Sequence, residues 1–128
     1  MNGFGRRIVL IVEDTETCAI TLQIALETIP DIELRIASNA REAWRMLESA
    51  PLPVAAVITD QNLPGWSGMD LLTKLQEDQR FSGIPVVITS GDSDPRLPRK
   101  ALSSGAAAVF TKPYSPAEVR KKLEQLIG

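Results

Sequence analysis

The chain has 128 residues, 44% hydrophobic and 23% charged, which is room for one domain with a proper core and too little for two (1–128, with about 7–127 ordered). No apolar run nears the roughly 18 residues of a membrane helix, and the five-residue run IVLIV is too short for a signal peptide, so a cytoplasmic protein without membrane insertion is expected. A net charge of −2 offers no general attraction to nucleic acid, the single Cys18 excludes internal disulfides, and the absence of histidine removes the commonest general base and metal ligand.

In chain order, residues 8–12 are a continuous apolar run ending at Glu13-Asp14. Cys18, Leu22, Ala25, Leu26 and Ile29 then recur at helical spacing, which predicts an amphipathic helix over 15–29, stopped by Pro30. Ile32, Leu34 and Ile36 alternate with Glu33 and Arg35, as in a strand near a sheet edge. Ser38 or Asn39 can cap the next helix, whose inward stripe is Ala40, Ala43, Trp44 and Leu47. Residues 54–59 form a buried strand that stops at Asp60; a turn through Leu63-Pro64-Gly65 leads into a helix over 67–79 with Met69, Leu72 and Leu75 inward. Another apolar run, 84–89, ends at Ser90-Gly91-Asp92. Asp94-Pro95 is a cap-and-first-turn signature, but Pro98 falls where a bonded N–H is needed, which predicts a late or distorted first turn. A last strand over 107–110 precedes Ser115-Pro116-Ala117-Glu118, a capping box opening a helix with Val119, Leu123 and Leu126 inward.

Five strand-then-helix units imply an α/β fold with a doubly wound parallel sheet. Glu13-Asp14, Asp60, Ser90 and Lys112 all follow strands, so one sheet edge should gather them. Clustered carboxylates repel, and without a cation at least one is expected to bind a proton. Oxygen ligands alone select a hard cation, Mg²⁺ fitting best. With Lys112 beside Asp60, the group expected to be neutralised is a phosphoryl, with Asp60 as nucleophile and Ser90 and Lys112 as oxygen clamps. Taken alone, each residue reads as well otherwise: Asp60 as a solubilising carboxylate, Glu13-Asp14 as favourable charge at a helix start, Lys112 as a surface lysine.

IVLIVED, ITDQNLPGWSG, IPVVITSGD and FTKPYSPAE together resemble the receiver domain of two-component response regulators, the chemotaxis regulators among them, over essentially the whole chain. The resemblance implies a flavodoxin-like five-stranded sheet of order 2-1-3-4-5. It implies that Asp60 takes a phosphoryl group from the phosphohistidine of a sensor histidine kinase or phosphotransfer protein. Asp14 and Asp60 would bind Mg²⁺ directly, Asn62 through its backbone carbonyl and Glu13 through water, while Ser90 and Lys112 engage the phosphoryl. It also suggests a downstream partner surface around Leu97, Leu102, Val109, Tyr114 and Val119.

One position departs from the family: the aromatic usual three residues before the lysine is Val109, and Phe110 stands where an aliphatic is usual. Activation is therefore expected to be read through Ser90, the loop after it and the fourth helix, without a ring flip. Asp92 is either a gate on the hydrolytic water or a solvated acid, and Trp66 meets a partner, covers the site or simply packs locally. Two rival functions stay open: a Mg²⁺-dependent phosphohydrolase, which would want a second acid where Asn62 stands, and a receiver used only as an interaction module.

Overall fold

The computed structural model describes residues 6–91 and 94–128. Five parallel strands, β1 (Arg7–Val12), β2 (Ile32–Ala37), β3 (Val54–Asp60), β4 (Val86–Ser90) and β5 (Ala108–Thr111), form one sheet in the order β2-β1-β3-β4-β5. The helices between and after them are α1 (Glu16–Leu26), α2 (Ala40–Glu48), α3 (Gly68–Glu77), α4 (Leu97–Ser103) and α5 (Pro116–Ile127).

Period-two alternation divides the core. Leu10 and Val12 of β1 pack with Val57 and Ile88 under α2, α3 and α4, while Val9 and Ile11 pack with Ile58 and Val87 under α1 and α5. Covered on both faces, β1, β3 and β4 read as unbroken apolar runs. β2, at the edge, is only partly buried over Ile32–Ile36, which explains its alternation.

The helix ends follow local chemistry. Asn39 caps α2 by accepting from the Glu42 N–H (2.8 Å). Ser115 caps α5 with Pro116 as the first helical residue, but the complete reciprocal capping box forms at α3, between Ser67 and Asp70. α1 ends at Leu26, short of the expected Ile29, because Ile29 precedes Pro30 and is steered away from helical angles; its side chain stays in the core. Buried positions of α1 are Ala19, Leu22 and Leu26, with Cys18 and Ala25 half-buried beside them.

α4 starts late, as Pro98 requires. Asp94 does not cap it; Arg96 occupies that position, and the Asp94 carboxylate instead accepts from the Arg96 N–H (2.9 Å) in the turn before the helix. At the far end Gly105 has φ +109, and the N–H groups of Gly105 and Ala106 return to the carbonyls of Leu102 and Ala101. This is the left-handed closure for which glycine is suited.

Trp44 lies half-buried against Phe81, edge to face at 5.4 Å. Trp66 packs locally: the Arg41 guanidinium (4.9 Å) and the Lys74 ammonium (4.5 Å) lie over its ring, tying the turn after β3 to α2 and α3. No helix among the described residues is long and apolar enough to cross a membrane.

Candidate functional site

Ladder hydrogen bonds continue to the carboxyl ends of the strands. Glu13 donates its N–H to Ala37 (2.9 Å), Gln61 to Thr89 (2.8 Å) and Lys112 to Ser90 (2.7 Å), so the residues leaving β1, β3 and β5 are held by neighbouring strands. The expected strand-end groups meet there. Ligand oxygens of Glu13, Asp14 and Asp60 lie within 4.8 Å of one another. Lys112 Nζ is 3.2 Å from both Glu13 Oε1 and Asp60 Oδ2. Ser90 ends β4 as a buried residue whose register partner is Thr111, next to Lys112.

Burial differs sharply within the cluster. Glu13 is 3% exposed and Asp60 5%, whereas Asp14 is solvent-exposed. Burial drives the Glu13 carboxyl above its ordinary pKa; the Thr15 N–H pulls it back (3.1 Å to Oε2), the Asp60 charge pushes it further up, and Lys112 opposes that push. Glu13 is thus the carboxylate that takes the strain of crowding. For Lys112 burial works against the charge, but the hydrogen bond to Glu13 and the charges of Asp60 and Glu13 outweigh it and raise its pKa. The lysine's stem passes beside Gly91, and the Lys112–Pro113 peptide bond is cis.

The turn after β3 is braced by Asn62, a residue expected at the site, and by Gln61 and Gly68, to which no role was assigned from sequence. The Asn62 N–H points at Asp60 Oδ1 (3.3 Å) while its side chain is exposed, and the Gln61 side-chain oxygen accepts from the Met69 N–H (2.8 Å). The Gly68 N–H reaches the Gln61 carbonyl (3.1 Å), and a Cβ on Gly68 would stand 2.6 Å from the Asp60 carbonyl oxygen. The start of α3 therefore presses on the backbone of Asp60. The glycine itself was the available signal, but its spacing alone does not reveal that approach.

The expected downstream surface is only partly surface. Leu97 and Val119 are buried in the core, because they are the inward positions of α4 and α5; Leu102 is exposed, and Val109 and Tyr114 are half-buried. Val109 packs against the cluster under α4 and Phe110 against Tyr114 on the opposite face (6.4 Å). Asp92 lies outside the described residues.

All donors in the cluster are carboxylate oxygens, a set that suits a hard divalent cation and offers nothing to a soft one. The buried Asp60 carboxylate carries the Lys112 ammonium and sits beside two further acids, so negative charge is concentrated at this edge of the sheet.

Comparison with known proteins agrees with this geometry. The family model of the response regulator receiver domain matches residues 9–124. Chemotaxis protein CheY1 of Helicobacter pylori is 29% identical over 119 residues, covering 93% of this chain and 95% of that protein. Response regulator Rre1 of Synechocystis is 34% identical over 121 residues, 93% of this chain but 51% of that protein. Among solved structures, the signal receiver domain of a signal transduction histidine kinase from Syntrophus aciditrophicus superposes with a TM-score of 0.83 at 30% identity, covering 94% of this chain and 89% of that one.

Proposed function

The chain belongs to the response regulator receiver domain family, and from that premise we propose that Asp60 is its phosphoacceptor, loaded by a sensor histidine kinase or a phosphotransfer protein. The carrying observation is that Lys112 Nζ lies 3.2 Å from Asp60 Oδ2 and equally near Glu13, inside a cluster of three acids. In the transfer, an Asp60 carboxylate oxygen attacks phosphorus. A P–O bond forms as the P–N bond to the donor histidine breaks, and the imidazole leaves with the bonding pair and takes up a proton.

The chain's own groups divide the remaining work. Asp14, Asp60 and the Asn62 carbonyl would hold Mg²⁺, with Glu13 acting through water. That ion supplies charge neutralisation on the phosphoryl oxygens. Lys112, already poised on Asp60, pairs with the phosphoryl, and the Ser90 hydroxyl turns onto it from the end of β4. Ser90 and Lys112 are joined through the backbone bond between β4 and β5, so a shift of one is felt by the other. The change is read at α4 and β5, where Leu102, Val109 and Tyr114 offer the accessible apolar groups. Val109 carries no ring to turn inward, so its rotamer stays put on activation; comparing free and phosphate-analogue-bound structures checks this, and a large rotamer change at Val109 would overturn it.

Incubation with Mg²⁺ and a small acyl phosphate tests the phosphoacceptor. A long-lived mass increase of one phosphoryl group, lost in Asp60→Asn, is expected. Rapid multiple turnover would favour a phosphohydrolase, and no mass increase would leave an interaction module.

A further inference from the structure

The first turn of α3 draws its hydrogen-bond partners from the residue that follows Asp60. Ser67 and Asp70 satisfy each other in the capping box: the Ser67 hydroxyl accepts from the Asp70 N–H (3.1 Å) and the Asp70 carboxylate from the Ser67 N–H (2.9 Å). The box leaves over the N–H groups of Gly68 and Met69, for which a helix start has no acceptor of its own. Both go to Gln61, whose carbonyl accepts from Gly68 (3.1 Å) and whose side-chain oxygen accepts from Met69 (2.8 Å). The Gln61 N–H meanwhile stays in the sheet, donating to the Thr89 carbonyl (2.8 Å). One half-buried residue thus ties the end of β3 to β4 on one side and to α3 on the other.

This attachment bears on Asp60 through the peptide unit between Gln61 and Asn62. A trans peptide is planar, so its C=O and N–H point in opposite directions. With the carbonyl drawn to α3, the N–H turns back toward the carboxylate, and the Asn62 N–H lies 3.3 Å from Asp60 Oδ1. The bond to Gly68 alone would leave Gln61 free to pivot about one point; the side-chain bond to Met69 gives it a second. Glutamine suits this task on two counts. Asparagine is one methylene shorter, and glutamate would bring a fourth carboxylate to an edge where Glu13, Asp14 and Asp60 already crowd.

We propose that Gln61 is a positioning residue of the Asp60 site: its side-chain bond to the Met69 N–H holds the following peptide unit so that the Asn62 N–H stays aimed at the Asp60 carboxylate. The inference deepens the phosphoacceptor reading and rests on it. Gln61 meets no reacting atom and acts only through the backbone of Asp60 and Asn62.

Gln61→Met tests it, because methionine keeps the length of the side chain and puts a methyl group where the acceptor oxygen stands. Ser67→Ala is the counterpart, removing the other side-chain acceptor of the same helical turn while leaving Gln61 in place. Melting curves of the full chains set a temperature at which every protein is folded. Acyl-phosphate labelling is then followed over a range of donor concentrations, and Mg²⁺ alone is titrated by calorimetry. Gln61→Met is expected to lower the limiting labelling rate about tenfold at an unchanged half-saturating donor concentration, and to weaken Mg²⁺ binding by about the same factor. Ser67→Ala should melt earlier yet keep both values. Gln61→Glu, which restores an acceptor oxygen, should label faster than Gln61→Met despite its added charge.

Native values in Gln61→Met would overturn the proposal. So would equal losses in Ser67→Ala, which would make Gln61 a helix cap and nothing more, or a Gln61→Glu protein no faster than Gln61→Met. The two readings fail separately. If the native chain binds Mg²⁺ but takes no phosphoryl group, the phosphoacceptor falls and the Mg²⁺ affinities still decide on Gln61. If Asp60 is labelled and Gln61→Met matches the native protein, only the positioning role falls. A native chain that neither binds Mg²⁺ nor takes the label overturns both.

Discussion

Lys112 and Asp60, 52 residues apart in the chain, meet with Nζ 3.2 Å from Oδ2, and the same ammonium reaches Glu13 at the same distance. One cation therefore serves two buried carboxylates, and the site is short of positive charge by design of its residues. That shortage is what a bound divalent ion would relieve.

Removing the ammonium should expose this dependence. Lys112→Met keeps the stem but leaves Glu13 and Asp60 without their cation, and the expected loss is about 1–3 kcal/mol at neutral pH. Added Mg²⁺ should restore part of it. Urea denaturation of both proteins, with Mg²⁺ and with a chelator, measures both effects; a loss independent of Mg²⁺ would mean that Lys112 acts only through packing.

Asp60→Asn should behave in the opposite sense. The Asp60 charge pushes on Glu13, so neutralising it relieves repulsion and leaves Lys112 to Glu13 alone. The variant should be at least as stable as the native protein in chelator, yet gain little from Mg²⁺. A native site saturated a hundredfold above its Kd gains about 2.7 kcal/mol. Thermal melts over a Mg²⁺ series separate the two proteins.

Gly68→Ala tests the contact between α3 and the backbone of Asp60. The added Cβ would lie 2.6 Å from the Asp60 carbonyl, and relieving that clash must move the turn that holds Gln61 and Asn62. Destabilisation of about 1–3 kcal/mol is expected, together with slower acyl-phosphate labelling. Gly83→Ala, where nothing lies within 4 Å, is the control and should change neither.

The only tyrosine, Tyr114, gives a clean optical titration. Burial, with added push from Cys18, raises its phenol to about 12 from 10.0, so the folded state keeps the proton where the unfolded state releases it. A raised folded pKa means that this contribution is complete below pH 10 and is lost as pH climbs toward 12. Tyrosinate absorbance should rise late in the native protein and near the ordinary value in urea. Tyr114→Phe should lose less stability over that alkaline window.

The elements were legible in the sequence because each is written in local terms. Helical spacing marked α2, α3 and α5, unbroken apolar runs marked the doubly covered β1, β3 and β4, and Pro98 foretold the late start of α4. The convergence of Glu13, Asp14, Asp60 and Lys112 was legible because each ends or directly follows a strand and parallel strands deliver their carboxyl ends to one edge. The partner surface failed in part because it was taken from the resemblance, whereas helical spacing had already set Val119 inward. Leu97 and Val119 are apolar because they face the core, and a pattern of apolar residues does not say which side of a partner surface they occupy.

By itself, then, the sequence determined the order of strands and helices, their inward faces and the residue types waiting at the sheet edge, since these depend on neighbours within a turn or two. Only the tertiary structure decided which of those groups touch. The reach of Lys112 across 99 residues to Glu13 and the approach of Gly68 to the Asp60 carbonyl depend on how strands and helices pack together. Such distances are set by packing between segments remote in the chain, and no local pattern carries them.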